Sequence, residues 1–491
     1  MTTSIDTFQS EARAFLDAHL DRRGDESFTW GEGSDRVGVL EEKTAEQEAR
    51  DLAAAKAWKA TEFDAGYGWI TGPTEYGGAG LDKEYDRAYR EVASGYAQPN
   101  QSQFGIGLGM VAPTILAHAI PEVKERYLRG MWRGDIVGCQ LFSEPVAGSD
   151  LAGIQTKAER DGDEWVITGQ KVWTSGAHYS DIGEIITRTD PTKPKHRGMT
   201  MFLVDMHAPG VEVRPLRQMT GGAAFNEVFF DEVRVPDSHR LGDVDGGWTV
   251  ALTTLMNERA SIGGGGGGAG TMSMARLLGL ARFLEVDGDP IIRQRIADVY
   301  IRGAVARYTS QRAMARIRAG QLPGPEMSIG KLSLTENLTR TSQLLGEMLG
   351  ARLVADSGEW GTYAWSEFVL GTPGMRIAGG SDEVMRNIVG ERVLGLPKEP
   401  TPEMLAAMNS AGCDYHALNG NRTELTQFDH ARNWVFNSVA PERRNDLFDR
   451  HWKPAEEDEK RIIATGEAIT GMLEQETWNE GEATTWVLTS K

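Results

Sequence analysis

Apolar residues at Ile5, Phe8, Ala12, Phe15 and Leu16, separated by polar ones, recur at the spacing of one helix face and predict an amphipathic opening helix. Helical patterning continues to about residue 130. One interruption, Trp69-Ile-Thr-Gly-Pro-Thr-Glu-Tyr-Gly-Gly-Ala-Gly80, packs five glycines and prolines into twelve residues and predicts a loop. After Gly134 the period shortens. Glu164-Trp-Val-Ile-Thr168, Gly198-Met-Thr-Met-Phe-Leu-Val-Asp205, Gly210-Val-Glu-Val-Arg214 and Asn226-Glu-Val-Phe-Phe-Asp231 read as short strands bounded by Gly, Pro and Asp. From Gly247 long helices return, over 289–319, 328–354 and 382–393. The order predicts an α+β chain, with an N-terminal helical domain (1–134), a middle β domain (135–246) and a C-terminal helical domain (247–400).

Pro397-Lys-Glu-Pro-Thr-Pro402 reads as a linker to an extension, 401–491, with 16 Asp and Glu against 9 Lys and Arg. Trp434, Trp452, Trp478 and Trp486 favour a folded or docked appendage over disorder. The glycine run 263–268 fits either the wall of a wide cavity or a tolerated flexible loop.

A length of 491 residues supports two or three domains. The formal charge of -19 opposes binding to nucleic acid, and an anionic small ligand would need a local basic pocket. Cys139 and Cys413 form no pairing motif and fit a reducing compartment. The first twenty residues carry Asp6, Glu11, Arg13 and Asp17 where a secretory signal would be apolar, so a cytoplasmic location without a membrane span is expected. Nine histidines show no metal-ligand spacing, and no metal is expected. Gly105-Ile-Gly-Leu-Gly109 imitates a dinucleotide loop but follows no strand, so it reads as close helix packing.

Two runs carry the chemistry. Leu141-Phe-Ser-Glu-Pro-Val-Ala-Gly-Ser-Asp150 offers small residues and one ring through which backbone amides can approach a planar cofactor. Gly169-Gln-Lys-Val-Trp-Thr-Ser-Gly176 offers an indole followed by two hydroxyls, although a strand end with a buried Trp would read the same way. Together with Ile377-Ala-Gly-Gly-Ser-Asp-Glu-Val-Met-Arg-Asn-Ile-Val-Gly-Glu-Arg392, they make residues 1–400 resemble the acyl-CoA dehydrogenases.

The resemblance implies a C-terminal four-helix bundle and FAD, with Phe142, Ser143, Trp173, Thr174, Ser175 and Ser381 at the cofactor. It implies an acyl-CoA substrate met by Ser149 and Arg259, although a self-capped turn accounts equally for Ser149 and a surface ion pair is the plain alternative for Arg259. It also implies an electron-transferring flavoprotein as acceptor, and a homodimer or homotetramer.

The reaction needs a carboxylate to take the α-proton while the β-hydrogen leaves as hydride. Many members place it in a Glu-Gly-Thr run, whose first position here is Gly379. A subset supplies it from the helix after the β domain, just before an arginine. Leu255-Met-Asn-Glu-Arg259 therefore makes Glu258 the expected base, with a helix-surface glutamate as the plain alternative. Gly379 keeps its backbone N–H, which can still donate to the thioester oxygen. The family's Arg-x-x-Phe-Gly run for the FAD pyrophosphate is absent from 283–295. An acyl-CoA oxidase, a related-fold flavin monooxygenase and a non-catalytic subunit of a mixed oligomer remain alternatives.

Overall fold

The fold is that of a computed structural model, which describes residues 4–24, 28–39, 43–263, 273–318 and 324–396. Glycines 264–268 and the extension 401–491 lie outside the described residues. Helix α1 (Ile5–His19) starts at Ser4, whose hydroxyl accepts from the Thr7 N–H at 3.2 Å, and buries Phe8, Ala12 and Leu16. Helix α2 (Ala45–Asp64) opens on a reciprocal cap between Thr44 and Gln47. Helices α3 (Lys83–Ala93), α4 (Ala112–His118) and α5 (Pro121–Arg133) complete the N-terminal layer. Before α4 the chain widens into a π-helical turn, Gly107–Val111. A Cβ on Gly107 would sit 3.1 Å from the Gly138 nitrogen, so this glycine serves close packing, whereas one on Gly105 would meet nothing within 4 Å.

Eight strands among the described residues form one mixed sheet: β1 (Gly138–Leu141), β2 (Lys157–Asp161), β3 (Glu164–Ser175), β4 (Ile182–Arg188), β5 (Met199–Asp205), β6 (Val211–Leu216), β7 (Phe225–Pro236) and β8 (Arg240–Leu241). The order is β6-β7-β3-β2-β4-β5-β8, with β1 parallel to β4. Both β3 and β7 run longer than their alternation predicts, because β3 continues through Gly169 by shifting its register against β7.

The third layer comprises α6 (Gly247–Gly263), α7 (Met274–Phe283), α8 (Pro290–Arg318), α9 (Met327–Leu349), α10 (Trp365–Met375) and α11 (Asp382–Ile388). The segment read as one helix over 328–354 stops at Gly350, where φ is 52°. That over 382–393 changes at Val389 into a second π-helical turn. Residues 28–39 of the α1–α2 connection cross to this layer, where Val37 and Val39 enter a core with Leu280, Leu345, Trp365 and Phe368. Arg276 holds the crossing by donating to the carbonyls of Ser34 and Arg36 at 2.7 Å. None of the described helices is long and apolar enough to cross a membrane.

Candidate active site

The loop after β1 is clamped to β3 from beneath. Lys171, fully buried, donates through Nζ to the Phe142 carbonyl at 3.0 Å and to Glu144 Oε1 at 2.8 Å. Glu144 Oε1 also accepts from the Thr156 N–H (3.0 Å), and Oε2 accepts from the Gln155 N–H (2.6 Å). The Ser143 carbonyl accepts from the Val172 N–H at 2.9 Å. Burial pushes the Lys171 ammonium down to about 8 against the pull of Glu144. Burial pushes Glu144 the other way, but Lys171 and its remaining donors hold it below the usual carboxylate range. The pair is thus ionised near neutrality, and removing either partner would strand a buried charge at a cost of about 3–5 kcal/mol.

Directly above this clamp β3 bulges. Lys171 pairs with Val228 and Thr174 with Asn226, so Trp173 falls in the irregularity, with φ at 60°. Its indole is 57% exposed and meets Phe225 edge-on at 5.9 Å, which removes the reading of a buried strand-end Trp. Thr174 is 1% exposed, yet its hydroxyl has no hydrogen-bond partner. Asn226 fixes the backbone at that point by donating to the Thr174 carbonyl at 3.1 Å. A buried hydroxyl left without a partner beside a projecting, strained aromatic residue fits a bound planar heterocycle with an acceptor at its edge. Ser175 closes the run opposite Phe225.

Helix α6 carries Glu258. One turn earlier, Thr254 is fully buried, and its hydroxyl meets Thr114 Oγ1 at 2.9 Å and donates to Glu184 on β4. Glu184 is itself fully buried, its second oxygen has no partner, and burial pushes its carboxyl up to about 8. The i, i+4 relation places Glu258, partly buried, next to Thr254 on one face of α6. The Arg259 side chain lies outside the described residues.

Helix α9 packs against both α6 and α11, and the loop entering α11 contains Gly379 (φ 66°) and Gly380 (φ 91°). Ser381 accepts from the Val384 N–H at 3.3 Å and caps α11, so its hydroxyl already has a structural task. Ser149 is exposed, and its neighbour Asp150 pairs with Lys195 at 2.7 Å.

Lys195 lines a cavity of about 570 Å³ together with, among others, Gln155, Lys157, Glu159, Arg188 and Lys193. Arg188 fastens its two walls, donating to the carbonyls of Ala152 (2.6 Å) and Lys195 (2.9 Å). Asp245, just before α6, binds Lys193 at 2.5 Å and accepts from Thr189 at 2.6 Å. Sequence reasoning missed this cavity. Its signal is the basic run Lys193-Pro-Lys-His-Arg197 in an otherwise acidic chain.

Models of the acyl-CoA dehydrogenase N-terminal, middle and C-terminal domains match residues 2–135, 139–233 and 245–394. The chain is 36% identical to the acyl-CoA dehydrogenase IpdE1 of Mycobacterium tuberculosis over 352 residues, 70% of this chain and 88% of that one. It is 41% identical to FadE34 of the same organism over 288 residues, 58% of this chain but only 39% of that longer protein. Among solved structures, the steroid ACAD Tcur3481-Tcur3483 superposes with a TM-score of 0.62 at 27% identity, over 81% of this chain and 99% of that one. The three matched domains and these relatives define an FAD-dependent oxidoreductase, and the chain belongs to the acyl-CoA dehydrogenase family.

Proposed function

We propose that this chain converts an acyl-CoA to its trans-2-enoyl-CoA with Glu258 as the base. FAD, when bound, supplies the acceptor for the β-hydrogen, which leaves as hydride. Phe142, Ser143 and the Trp173–Thr174–Ser175 run would hold the ring, with the unpartnered Thr174 hydroxyl as the donor available to it. The Glu258 carboxylate takes the α-proton, while the Gly379 N–H donates to the thioester oxygen as negative charge builds there. One observation carries the assignment of the base. The catalytic loop has no side chain at Gly379, and Asp382, the carboxylate nearest to it in sequence, has both oxygens occupied by Lys331, Thr335 and Arg376.

The basic cavity beside Ser149 takes the phosphates of the CoA, and an electron-transferring flavoprotein reoxidises the enzyme. Exposed Tyr300, Ile301, Val305 and Tyr308 on α8 support a subunit contact in a homodimer or homotetramer.

Anaerobic absorbance titration of wild type and Glu258→Gln against short, branched, long and steroidal acyl-CoAs tests the reading. The steroidal ester is included because of the superposed relative. Flavin bleaching in wild type alone is expected. Bleaching in both proteins would remove Glu258 from its role.

A second reading, a half-catalytic subunit of a mixed oligomer, draws on Gly379 and on the missing arginine run at 283–295. A colourless protein that retains FAD only with a second polypeptide would favour it.

A further inference from the structure

The loop that presents Gly379 is closed by an ionic knot in which Asp382 and Lys331 are buried and Arg376 stands half-exposed at the edge. Asp382 is 4% exposed; its Oδ1 accepts from Lys331 Nζ and Thr335 Oγ1, both at 2.8 Å, and its Oδ2 accepts from Arg376 Nε at 2.9 Å. The knot also has a backbone half. The Arg376 carbonyl accepts from Lys331 Nζ and from the Asp382 N–H, each at 3.0 Å. Residues 376 and 382 are therefore bonded to each other by side chain and main chain, and both are bonded to one lysine of α9.

Between these fixed ends stand only five residues, two of them glycines in the left-handed region. A loop this short, with both ends anchored, has few ways to aim its peptide planes. Among the described residues, no hydrogen bond uses the Gly379 N–H. Burial opposes the Asp382 charge, but Lys331, Arg376 and Thr335 hold the carboxylate below its usual range, so Asp382 stays ionised near neutrality. A helix cap alone would not require this arrangement, because Ser381 already caps α11.

We propose that Asp382 is a positioning residue for α-deprotonation, holding the 376–382 loop so that the Gly379 N–H points at the thioester oxygen. This rests on the reading of Gly379 as the thioester donor. The role is indirect: Asp382 touches neither substrate nor cofactor, and acts by fixing the direction of one amide. An amide that must swing into place as charge develops stabilises that charge less than one already aimed at it.

The test compares wild type with Asp382→Asn by anaerobic stopped-flow flavin reduction and by the infrared C=O stretch of a bound acyl-CoA labelled with carbon-13 at its thioester carbonyl. In wild type the stretch is expected to fall below that of the free ester. In Asp382→Asn it should return toward the free value, with flavin reduction slowed about tenfold or more and KM within about threefold of wild type. Thr335→Val and Arg376→Ala each remove one donor and keep the acid, and they provide smaller shifts of the same sign should Asp382→Asn fail to fold. An unchanged stretch and rate in variants that fold and hold FAD would overturn the positioning role while leaving Gly379 its own. A wild-type stretch equal to that of the free ester would instead remove Gly379 as donor, and the positioning role with it.

Discussion

A single hydroxyl separates a fold that tolerates a cofactor from one built around it. The Thr174 side chain is desolvated without a partner, an arrangement that costs about 1–3 kcal/mol unless something else supplies the acceptor. Thr174→Val should therefore act with opposite signs in two states. The flavin-free protein should gain about 1 kcal/mol, and the FAD-saturated protein should lose stability together with cofactor affinity. Thermal melts of both forms decide the matter, and an equal gain in each would show that the hydroxyl never meets the cofactor. Thr174 and Trp173 stand out as candidates in the sequence because indole and hydroxyls stand together in one run. Lys171 stands in the same run, and its role was not legible. Its partner Glu144 is 27 residues away, and no local period encodes which lysine a folded loop will bury. Asp382 was hidden in the same way, since Lys331 lies 51 residues before it.

Periodicity served helices better than strands, and β4 shows why. Its residues Ile182-Gly-Glu-Ile-Ile-Thr are buried on both faces, so the alternation that marks a half-exposed strand is missing, and a glutamate at its centre argues against a core position. That glutamate has a measurable consequence. Burial raises the Glu184 carboxyl from an ordinary 4.5 to about 8. Between those two values the unfolded chain gives up a proton that the folded chain keeps. Stability therefore falls as pH rises through the window, by up to about 1.4 kcal/mol per pH unit. Below it the contribution is complete and flat. Glu184→Gln keeps an acceptor for Thr254 and has no proton to lose, so its stability relative to wild type should climb from pH 4.5 to 8. Urea midpoints of the two proteins across that range provide the check, and a difference independent of pH would mean that Glu184 is ionised in the fold. The strut also ties β4 to α6 at Thr254, one turn before Glu258, so the same variant probes how firmly the helix of the proposed base is seated.

At the scale of the molecule, a chain of net charge -19 must bind a substrate that is itself a polyanion. Long-range attraction is absent, so recognition has to come from local charge within a Debye length of about 8–10 Å. The basic cavity provides such a patch, but its lysines are restrained: Lys195 pairs with Asp150, and Lys193 with Asp190 and Asp245. These pairs orient the ammonium groups at the rim and lower the field they present, so each lysine should contribute modestly and the group together should decide affinity. Lys193→Ala combined with Lys195→Ala is therefore expected to raise KM for an acyl-CoA about tenfold, equivalent to about 1.4 kcal/mol of binding, with kcat nearly unchanged. The same acyl group on pantetheine, which lacks the nucleotide phosphates, should show no such rise, because its thioester still reaches Glu258 and Gly379 while nothing fills the cavity. Added salt should weaken wild-type binding of the CoA ester and leave the pantetheine ester unaffected. If the double variant raised KM equally for both esters, the lysines would be acting through the Asp150 and Asp245 contacts that hold the loop and the start of α6, and the phosphates would have to bind elsewhere.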